Sequence, residues 1–301
     1  MKITFASFCS PGSEKRNGRE KSVCISDMEV WTDWLTRAED LGDEVVRRSR
    51  LVLPTVARLC LVATFFEDAL RMWCQWGDQV YFLQLHLNFS WGVAFLSCQV
   101  NLLGQLVGCG LVLFRVWTNV AVTLLVSLVL FQLHVYSVPL QLEQLLRNFS
   151  LLGGLLLLLV EANEAASCCR IYGARAGLPL LEERRRSQHL MQLTGRILLA
   201  LMYLTVLHQY FGLAAVVLNS FGLLLMTLIL LGYRTRPAAL LLAIILSIWN
   251  MSVNAWWFAE GLERDYLKYN CFHTLSVVGG LLMVVVLGPG EVSLEQYKKN
   301  W

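Results

Sequence analysis

Charged residues are scarce in this chain of 301 residues. They make up 16% of the sequence, and 56% of it is hydrophobic, whereas soluble domains carry about 25% charged residues. The charges crowd into the first 50 residues, two stretches near 161–186 and 260–268, and the C-terminal end. The apolar runs between them are about 20 residues long, enough to cross a bilayer as helices that satisfy their own backbone hydrogen bonds. The composition excludes an ordinary soluble domain and predicts an all-α polytopic membrane protein.

The sequence also lacks the patterns of catalytic and metal sites. It contains no nucleophile elbow, no Gly-rich phosphate loop and no His-Glu-x-x-His. Its nine cysteines form no zinc pattern, and its five histidines lack metal-ligand spacing. We therefore expect a protein that is not an enzyme, uses no metal or cofactor and binds no nucleic acid. A secretory signal is not expected either, because Pro11 and Gly12 stop the short apolar run 3–8.

Eight apolar segments are predicted to cross the membrane. Their approximate ranges are 54–76, 89–114, 117–138, 149–161, 191–211, 213–232, 237–258 and 272–287. The fourth segment is short, so seven spans remain an alternative. Lys and Arg are concentrated in alternate connections, and positively charged connections face the cytosol. Eight spans with both termini cytosolic fit this alternation, whereas seven spans would place the basic C-terminal tail on the opposite side.

An internal repeat divides the membrane region into two halves. Four anchors recur in the same order: an Arg at the start, an Asn-x-x-Gly, a basic turn and a Ser-x-x-Gly-Gly. They are Arg58, Asn101, Arg115 and Ser150–Gly154 in the first half, and Arg196, Asn219, Arg234 and Ser276–Gly280 in the second. An even number of helices in each half predicts two parallel four-helix repeats. The glycines are expected to let helices approach closely.

These features divide the chain into six regions. We predict a disordered cytosolic extension (1–33), an amphipathic cytosolic segment (34–53), the first repeat (54–161), a basic cytosolic loop (162–190), the second repeat (191–288) and a cytosolic tail (289–301). The amphipathic segment is either a helix on the membrane surface or a solvated connector.

Several stretches resemble the Surfeit locus protein 4 family. The sequences VARLCL at 56–61, FED at 66–68, RMW at 71–73 and QW at 75–76 resemble its first membrane segment. NLLGQL at 101–106 resembles its second, and Tyr269, Phe272, SVVGG at 276–280 and LGPG at 287–290 resemble its last. The resemblance runs from about Ala38 to the end of the chain, so residues 1–30 look like an extension that the family does not need.

The resemblance implies a role in the early secretory pathway. Members of the family are polytopic cargo receptors of the endoplasmic reticulum. A chain of this kind is expected to bind soluble secretory cargo proteins in the lumen, to leave in vesicles formed by the COPII export machinery, and to return through the COPI coat. It would reside in the endoplasmic reticulum membrane and cycle through the ER–Golgi intermediate compartment and the cis-Golgi, in contact with membrane lipid.

The C-terminus carries a candidate retrieval signal. Lys298 and Lys299 occupy the fourth and third positions from the terminal carboxylate. Two lysines at this spacing on a cytosolic tail form the dilysine pattern that the COPI coat reads as an address. The alternative is a basic tail that only makes the end of the chain soluble.

A charged cluster late in the first segment is the candidate cargo site. Glu67 and Asp68 lie four and three positions before Arg71, so they can pair with it on one helix face. Charges inside a span usually face a cavity or another helix. Arg71 compensates one acid, which leaves one carboxylate for the amino end of a cargo protein. Three aromatic residues are expected to wall this site; they are Trp73, Trp76 and Trp257.

Two alternatives to this site and function remain. In the first alternative, the cluster is an interfacial anchor, and the cargo site lies nearer Glu260 and Glu263. In the second alternative, the protein is a membrane transporter or a lipid-moving protein, a class in which internal repeats and ionisable residues within spans are common. The fifth segment has no acid aligned with the cluster, because its matching stretch 202–205 is uncharged. This asymmetry favours a one-sided binding site.

Overall fold

The computed structural model describes five residues between 37 and 48, residues 52–135, 142–171 and 189–201, Tyr203, and residues 213–288. Regular secondary structure in these ranges is entirely helical. The helices are α1 (Val52–Cys74), α2 (Trp76–Leu87), α3 (Trp91–Leu113), α4 (Thr118–Val135), α5 (Leu142–Ile171), α6 (189–201), α7 (Leu213–Leu231), α8 (Thr235–Val253) and α9 (Gly261–Leu287), with a 3-10 turn at Trp256–Phe258.

Four of the described helices are long and apolar enough to cross a membrane. These candidate spans are Trp91–Leu113, Leu145–Glu164, Thr235–Phe258 and Glu263–Leu287, and two shorter apolar helices lie at Thr118–His134 and Val216–Leu231. Helix α1 has 23 residues, also a spanning length, but it contains four charged side chains. The all-helical membrane fold is thus confirmed at this level, while the count of eight spans stays a prediction.

Two segment boundaries differ from those predicted. The stretch after the first segment, expected to be a plain connection, forms helix α2, which packs against α3. The short fourth segment lies inside the 30-residue helix α5, which continues past residue 161 to Ile171. Its apolar run marks only the middle of the helix, because polar residues at both ends continue the same helical backbone.

Helix α9 is the central element of the packing. It contacts α1, α5 and α8, and α1 also contacts α3. Most of the buried side chains are apolar, and the largest fully buried ones include Leu157, Leu199, Leu242 and Leu281. Fully burying a side chain of this size stabilises a fold by about 1.5–3 kcal/mol relative to leaving it in water, although between helices in lipid the tight packing itself has the larger role.

Two Gly-Gly pairs mark close helix approaches. A Cβ atom at Gly279 would lie 2.7 Å from the backbone N of Leu61 in α1, and one at Gly153 would lie 2.7 Å from Cβ of Leu198 in α6. The second glycine of each pair meets a leucine: Gly154 meets Leu61, and Gly280 meets Leu199. The first glycine of each pair therefore brings α9 or α5 so close to the backbone of its neighbour that a Cβ atom there would be crowded.

The turns after α3 and α7 have the same geometry. The N–H of Val116 donates to the carbonyl of Leu111 at 3.1 Å, and the N–H of Tyr233 donates to the carbonyl of Leu228 at 3.1 Å. The residue before each donor has a positive φ, 57° and 72°. Both are Schellman turns, which satisfy the last carbonyls of a helix and reverse the chain tightly.

Candidate polar site at the end of helix α1

Asp68 connects three helices near the C-terminal end of α1. It pairs with Arg71 one turn along the same helix. Its Oδ2 also accepts hydrogen bonds from Gln105 of α3 at 2.7 Å and from Gln132 of α4 at 3.0 Å. Gln132 donates further to Oδ1 of Asn101 at 3.2 Å. Asp68 is therefore engaged by three donors, as a carboxylate removed from water requires.

Glu67 points in another direction and is only partly satisfied. Adjacent helical residues project about 100° apart, so Glu67 faces α9 while Asp68 faces α3 and α4. The Nζ atom of Lys268 lies 3.9 Å from Oε1 of Glu67, and Oε2 has no hydrogen-bond partner among the described residues. Glu67 is only 3% exposed. An unsatisfied buried oxygen of this kind costs free energy, so the site is poised to accept a donor.

Tyr269 of α9 lies between the cluster and helix α5. The guanidinium carbons of Arg71 and Arg147 are 5.6 Å and 5.3 Å from the centroid of its ring, within the range of a cation–π interaction. Nη1 of Arg147 donates to Oδ1 of Asn270 at 3.0 Å. The ring of His273 packs edge-on against Tyr269, with 5.9 Å between the centroids. These contacts extend the site across five helices: α1, α3, α4, α5 and α9.

The charge balance differs from the sequence-based count. That count treated Arg71 as the only cation beside Glu67 and Asp68, and this was wrong. The structure adds Lys268 at Glu67 and Arg147 beside Tyr269. Within the described residues three cations thus lie in the cluster with Glu67 and Asp68, so these carboxylates are not short of positive charge. The buried atoms without a hydrogen-bond partner there are Oε2 of Glu67, Nε of Arg71, Oε1 of Gln105 and the two ring nitrogens of His273.

The three tryptophans lie at different depths. Trp76 is half-buried and packs edge-on against Phe95, with 5.4 Å between the centroids. Trp73 is 69% exposed, because six residues after Glu67 it projects from another face of α1. Trp257 is 47% exposed and contacts Trp256 in the 3-10 turn. The structure brings the three charged residues together, and it places Trp73 and Trp257 at the surface.

Sequence reasoning missed several members of the site. They are Gln105, Gln132, Arg147, Lys268, Asn270 and His273. The available signal was polarity within apolar segments, since polar and ionisable residues there are rare and tend to face the bundle interior. That signal identifies the residues but not their partners. No three His, Cys, Asp or Glu side chains in the described part of the chain are placed to hold a metal.

Two further predicted features stand apart from this cluster. Lys298 and Lys299 lie outside the described residues. The last described residue, Gly288, is hydrogen-bonded to α6. Its carbonyl oxygen accepts hydrogen bonds from Arg196 and from Gln192, the latter at 3.1 Å. Glu260 and Glu263 are exposed at the start of α9.

Comparison with known proteins agrees with the resemblance. Residues 32–301 match the SURF4 family. The chain is 45% identical to the Surfeit locus protein 4 homolog of Drosophila melanogaster, over 91% of this chain and 100% of that protein. It is 32% identical to the ER-derived vesicles protein ERV29 of Saccharomyces cerevisiae, over 88% of this chain and 83% of that protein, and 33% identical to the Surfeit locus protein 4 homolog of Schizosaccharomyces pombe, over 82% of each. No solved structure matches the chain. These matches confirm the resemblance: the chain belongs to the SURF4 family.

Proposed function

We propose that this protein is a cargo receptor of vesicles that leave the endoplasmic reticulum. It binds soluble secretory proteins in the lumen, carries them toward the Golgi in COPII vesicles, and returns through the ER–Golgi intermediate compartment with the COPI coat. The name of the yeast relative, an ER-derived vesicles protein, supports this assignment to a compartment. The buried polar site supports the part of the proposal that concerns the binding of cargo.

The observation that carries the proposal is the unsatisfied oxygen of Glu67. A carboxylate has acceptor capacity for several donors, and Oε2 of Glu67 has none among the described residues. A protonated amine at the amino end of a cargo protein would supply a charge-assisted hydrogen bond, worth about 1.5–3 kcal/mol. That is a small contribution, which suits a receptor that releases its load after each journey.

The remaining predicted site residues have supporting roles in this proposal. Asp68 already accepts from three donors, so it fixes the end of α1 rather than binding cargo itself. Arg71 holds Asp68 and lies beside Tyr269. Trp76 packs at the same end of α1, while Trp73 and Trp257 would receive apolar cargo side chains at the entrance.

The architecture that we propose consists of two parallel four-helix repeats with both termini in the cytosol. Three observations support it. The Gly-Gly pairs contact α1 and α6 at corresponding positions when Arg58 is aligned with Arg196. The turns after α3 and α7 share one geometry. Four of the five charged residues of the site, Glu67, Asp68, Arg71 and Arg147, come from the first half, and the second half adds one, Lys268. The charged site thus belongs mainly to one half, which favours a one-sided binding site over an alternating pathway.

The proposed function is tested by cargo capture with matched acid-to-amide variants. Glu67→Gln removes the charge of the buried acid, and Glu263→Gln removes the charge of an exposed acid at the start of α9. We expect Glu67→Gln to lower co-precipitation of secretory proteins, and Glu263→Gln to leave it unchanged. If only Glu263→Gln lowers it, the site lies in the connection before α9. If neither does, the cluster is a structural one.

The retrieval signal is tested separately. Replacing Lys298 and Lys299 by Ser removes both ammonium groups from the tail. We expect the double variant to move from the endoplasmic reticulum toward the Golgi in microscopy of living cells, while its cargo binding stays unchanged. An unchanged distribution would show that the tail is only a basic end.

A further inference from the structure

Arg147 is a buried cation without an anionic partner in the described part of the chain. It lies near the start of α5 and is 8% exposed. Its contacts are neutral: Nη1 donates to the amide oxygen of Asn270 at 3.0 Å, and the guanidinium lies beside the ring of Tyr269. A guanidinium stays charged in proteins, and a buried charge is normally paired. The compensating charge is therefore expected to come from a bound anion.

A second cation beside the same ring increases the positive charge that an anion would compensate. Arg71 lies 5.6 Å from the centroid of the same Tyr269 ring, but Arg71 pairs with Asp68. Within the described residues, two guanidinium groups thus lie beside one aromatic ring, while the two carboxylates of the cluster, Asp68 and Glu67, lie at Arg71 and Lys268 rather than at Arg147. Two like charges beside one ring repel each other in a region of low dielectric constant. An anion at Arg147 would relieve this repulsion, whereas a further cation would increase it.

His273 supplies an independent sign of a ligand. It lies one helical turn after Tyr269 and packs edge-on against that ring. Its side chain is 2% exposed, and neither ring nitrogen has a hydrogen-bond partner among the described residues. An imidazole always carries at least one N–H donor. A free donor and an uncompensated guanidinium are therefore arranged around one tyrosine.

We propose that Arg147 and His273, arranged around Tyr269, form a binding site for a carboxylate. The guanidinium presents a planar pair of donors that matches the two oxygens of this group, and the imidazole adds a third. The site is distinct from Glu67, which binds a cation. A carboxylate reaches it from either of two sources, a small free carboxylate or an acidic side chain of cargo, and the second source rests on the proposed function.

The free source is tested by thermal unfolding of the full chain in nanodiscs of neutral lipid. Sodium acetate is compared with sodium chloride at equal ionic strength and equal pH. If the site takes a free carboxylate, acetate raises the Tm of the parent protein, and Arg147→Gln abolishes that shift. The matched control is Arg264→Gln, which removes an exposed arginine stacked on Trp256 and keeps the shift. If Arg147→Gln folds poorly, His273→Asn provides the second variant, in which the shift shrinks.

The cargo source is tested with synthetic peptides that have a free amino end, apolar side chains and a single Asp, compared with the same peptides carrying Asn. In fluorescence anisotropy we expect the Asp peptides to bind the parent about tenfold more tightly, a difference of about 1.4 kcal/mol. Arg147→Gln removes this preference. Glu67→Gln weakens both kinds of peptide and preserves their ratio, which separates the two sites.

The two experiments also separate the two proposals. If acetate stabilises the parent protein and no peptide binds, the carboxylate site stands and the receptor function fails. If peptides bind through Glu67 with no preference for Asp, and acetate gives no shift, the carboxylate site is refuted and the receptor function stands. A shift or a preference that persists in Arg147→Gln also overturns the carboxylate site.

Discussion

Helix α1 carries buried charges near both of its ends, and the two ends are built differently. Near its start, one cation meets one acid: Arg58 pairs with Glu161 of α5, the two side chains are 5% and 12% exposed, and Nε and Nη1 of Arg58 have no hydrogen-bond partner among the described residues. Near its end, Glu67 and Asp68 meet three cations, and an acceptor oxygen of Glu67 and both ring nitrogens of His273 have no hydrogen-bond partner among the described residues. We call these the closed end and the open end of α1. A closed pair fixes two helices, whereas an open cluster keeps the capacity to bind a ligand.

The largest effect is expected from breaking the closed end. Arg58→Met leaves Glu161 charged and without its partner in the interior, and removing one member of a buried pair costs about 3–5 kcal/mol. We expect a clear fall in Tm, measured by thermal unfolding in nanodiscs. Arg47→Met, which removes an exposed arginine paired with Glu44, is the control and should have no measurable effect.

The double variant Arg58→Met with Glu161→Met sharpens this result. Replacing both members of a buried pair by apolar residues is often neutral for stability, so we expect most of the loss to be recovered. If the single variant is as stable as the parent, the closed end does not hold α1 against α5.

A second, smaller loss of stability is expected from the helix packing beside the closed end. In Gly279→Ala the new Cβ would lie 2.7 Å from the backbone N of Leu61 and 2.8 Å from the carbonyl oxygen of Ala57. Backbone atoms cannot move aside cheaply, and overpacking of this kind costs about 1–3 kcal/mol. Gly110→Ala in α3 is the matched control, since nothing lies within 4 Å of the position that a Cβ would take there, and it should leave the Tm unchanged or slightly raised. Equal effects of the two variants would contradict the close approach.

The smallest effect on stability, with the opposite sign, is expected at the open end. Glu67→Gln removes a buried charge whose Oε2 is unsatisfied, and Lys268, the cation it leaves, is 30% exposed and can reach water. We expect a Tm equal to that of the parent or higher, because binding residues are commonly held at a cost to stability. A loss as large as that of Arg58→Met would show that Glu67 is a structural residue.

The helical membrane fold could be predicted from the sequence because the length and hydropathy of the apolar runs largely decide it. Long apolar runs in lipid must form helices, and the glycine pairs indicated where those helices approach each other. Helix α2 was missed because residues 76–87 mix polar and apolar side chains in a short stretch, so their hydropathy does not distinguish a helix from a connection.

The site was predicted only in part, for a reason of geometry. Glu67, Asp68 and Arg71 are neighbours along one helix, so their spacing predicts the pair that forms between Asp68 and Arg71. Gln132 and Lys268 reach the site from helices distant in sequence, and their contacts depend on how those helices pack. The outward direction of Trp73 follows from helical periodicity, and it was missed because the aromatic residues were assigned by depth alone.

The most direct test of the receptor function asks whether cargo occupies the open end of α1. A photo-crosslinking phenylalanine analogue replaces Tyr269, whose ring lies beside Arg71 and Arg147. In a second variant the analogue replaces Tyr233, in the turn after α7 that we predict to be cytosolic. Irradiation of cells and isolation of the covalent adducts then shows which proteins lie at each position. We predict adducts with soluble secretory proteins at position 269 and none at position 233. Absence of such adducts at 269 from a variant that still exports its cargo would contradict a cargo site at the open end.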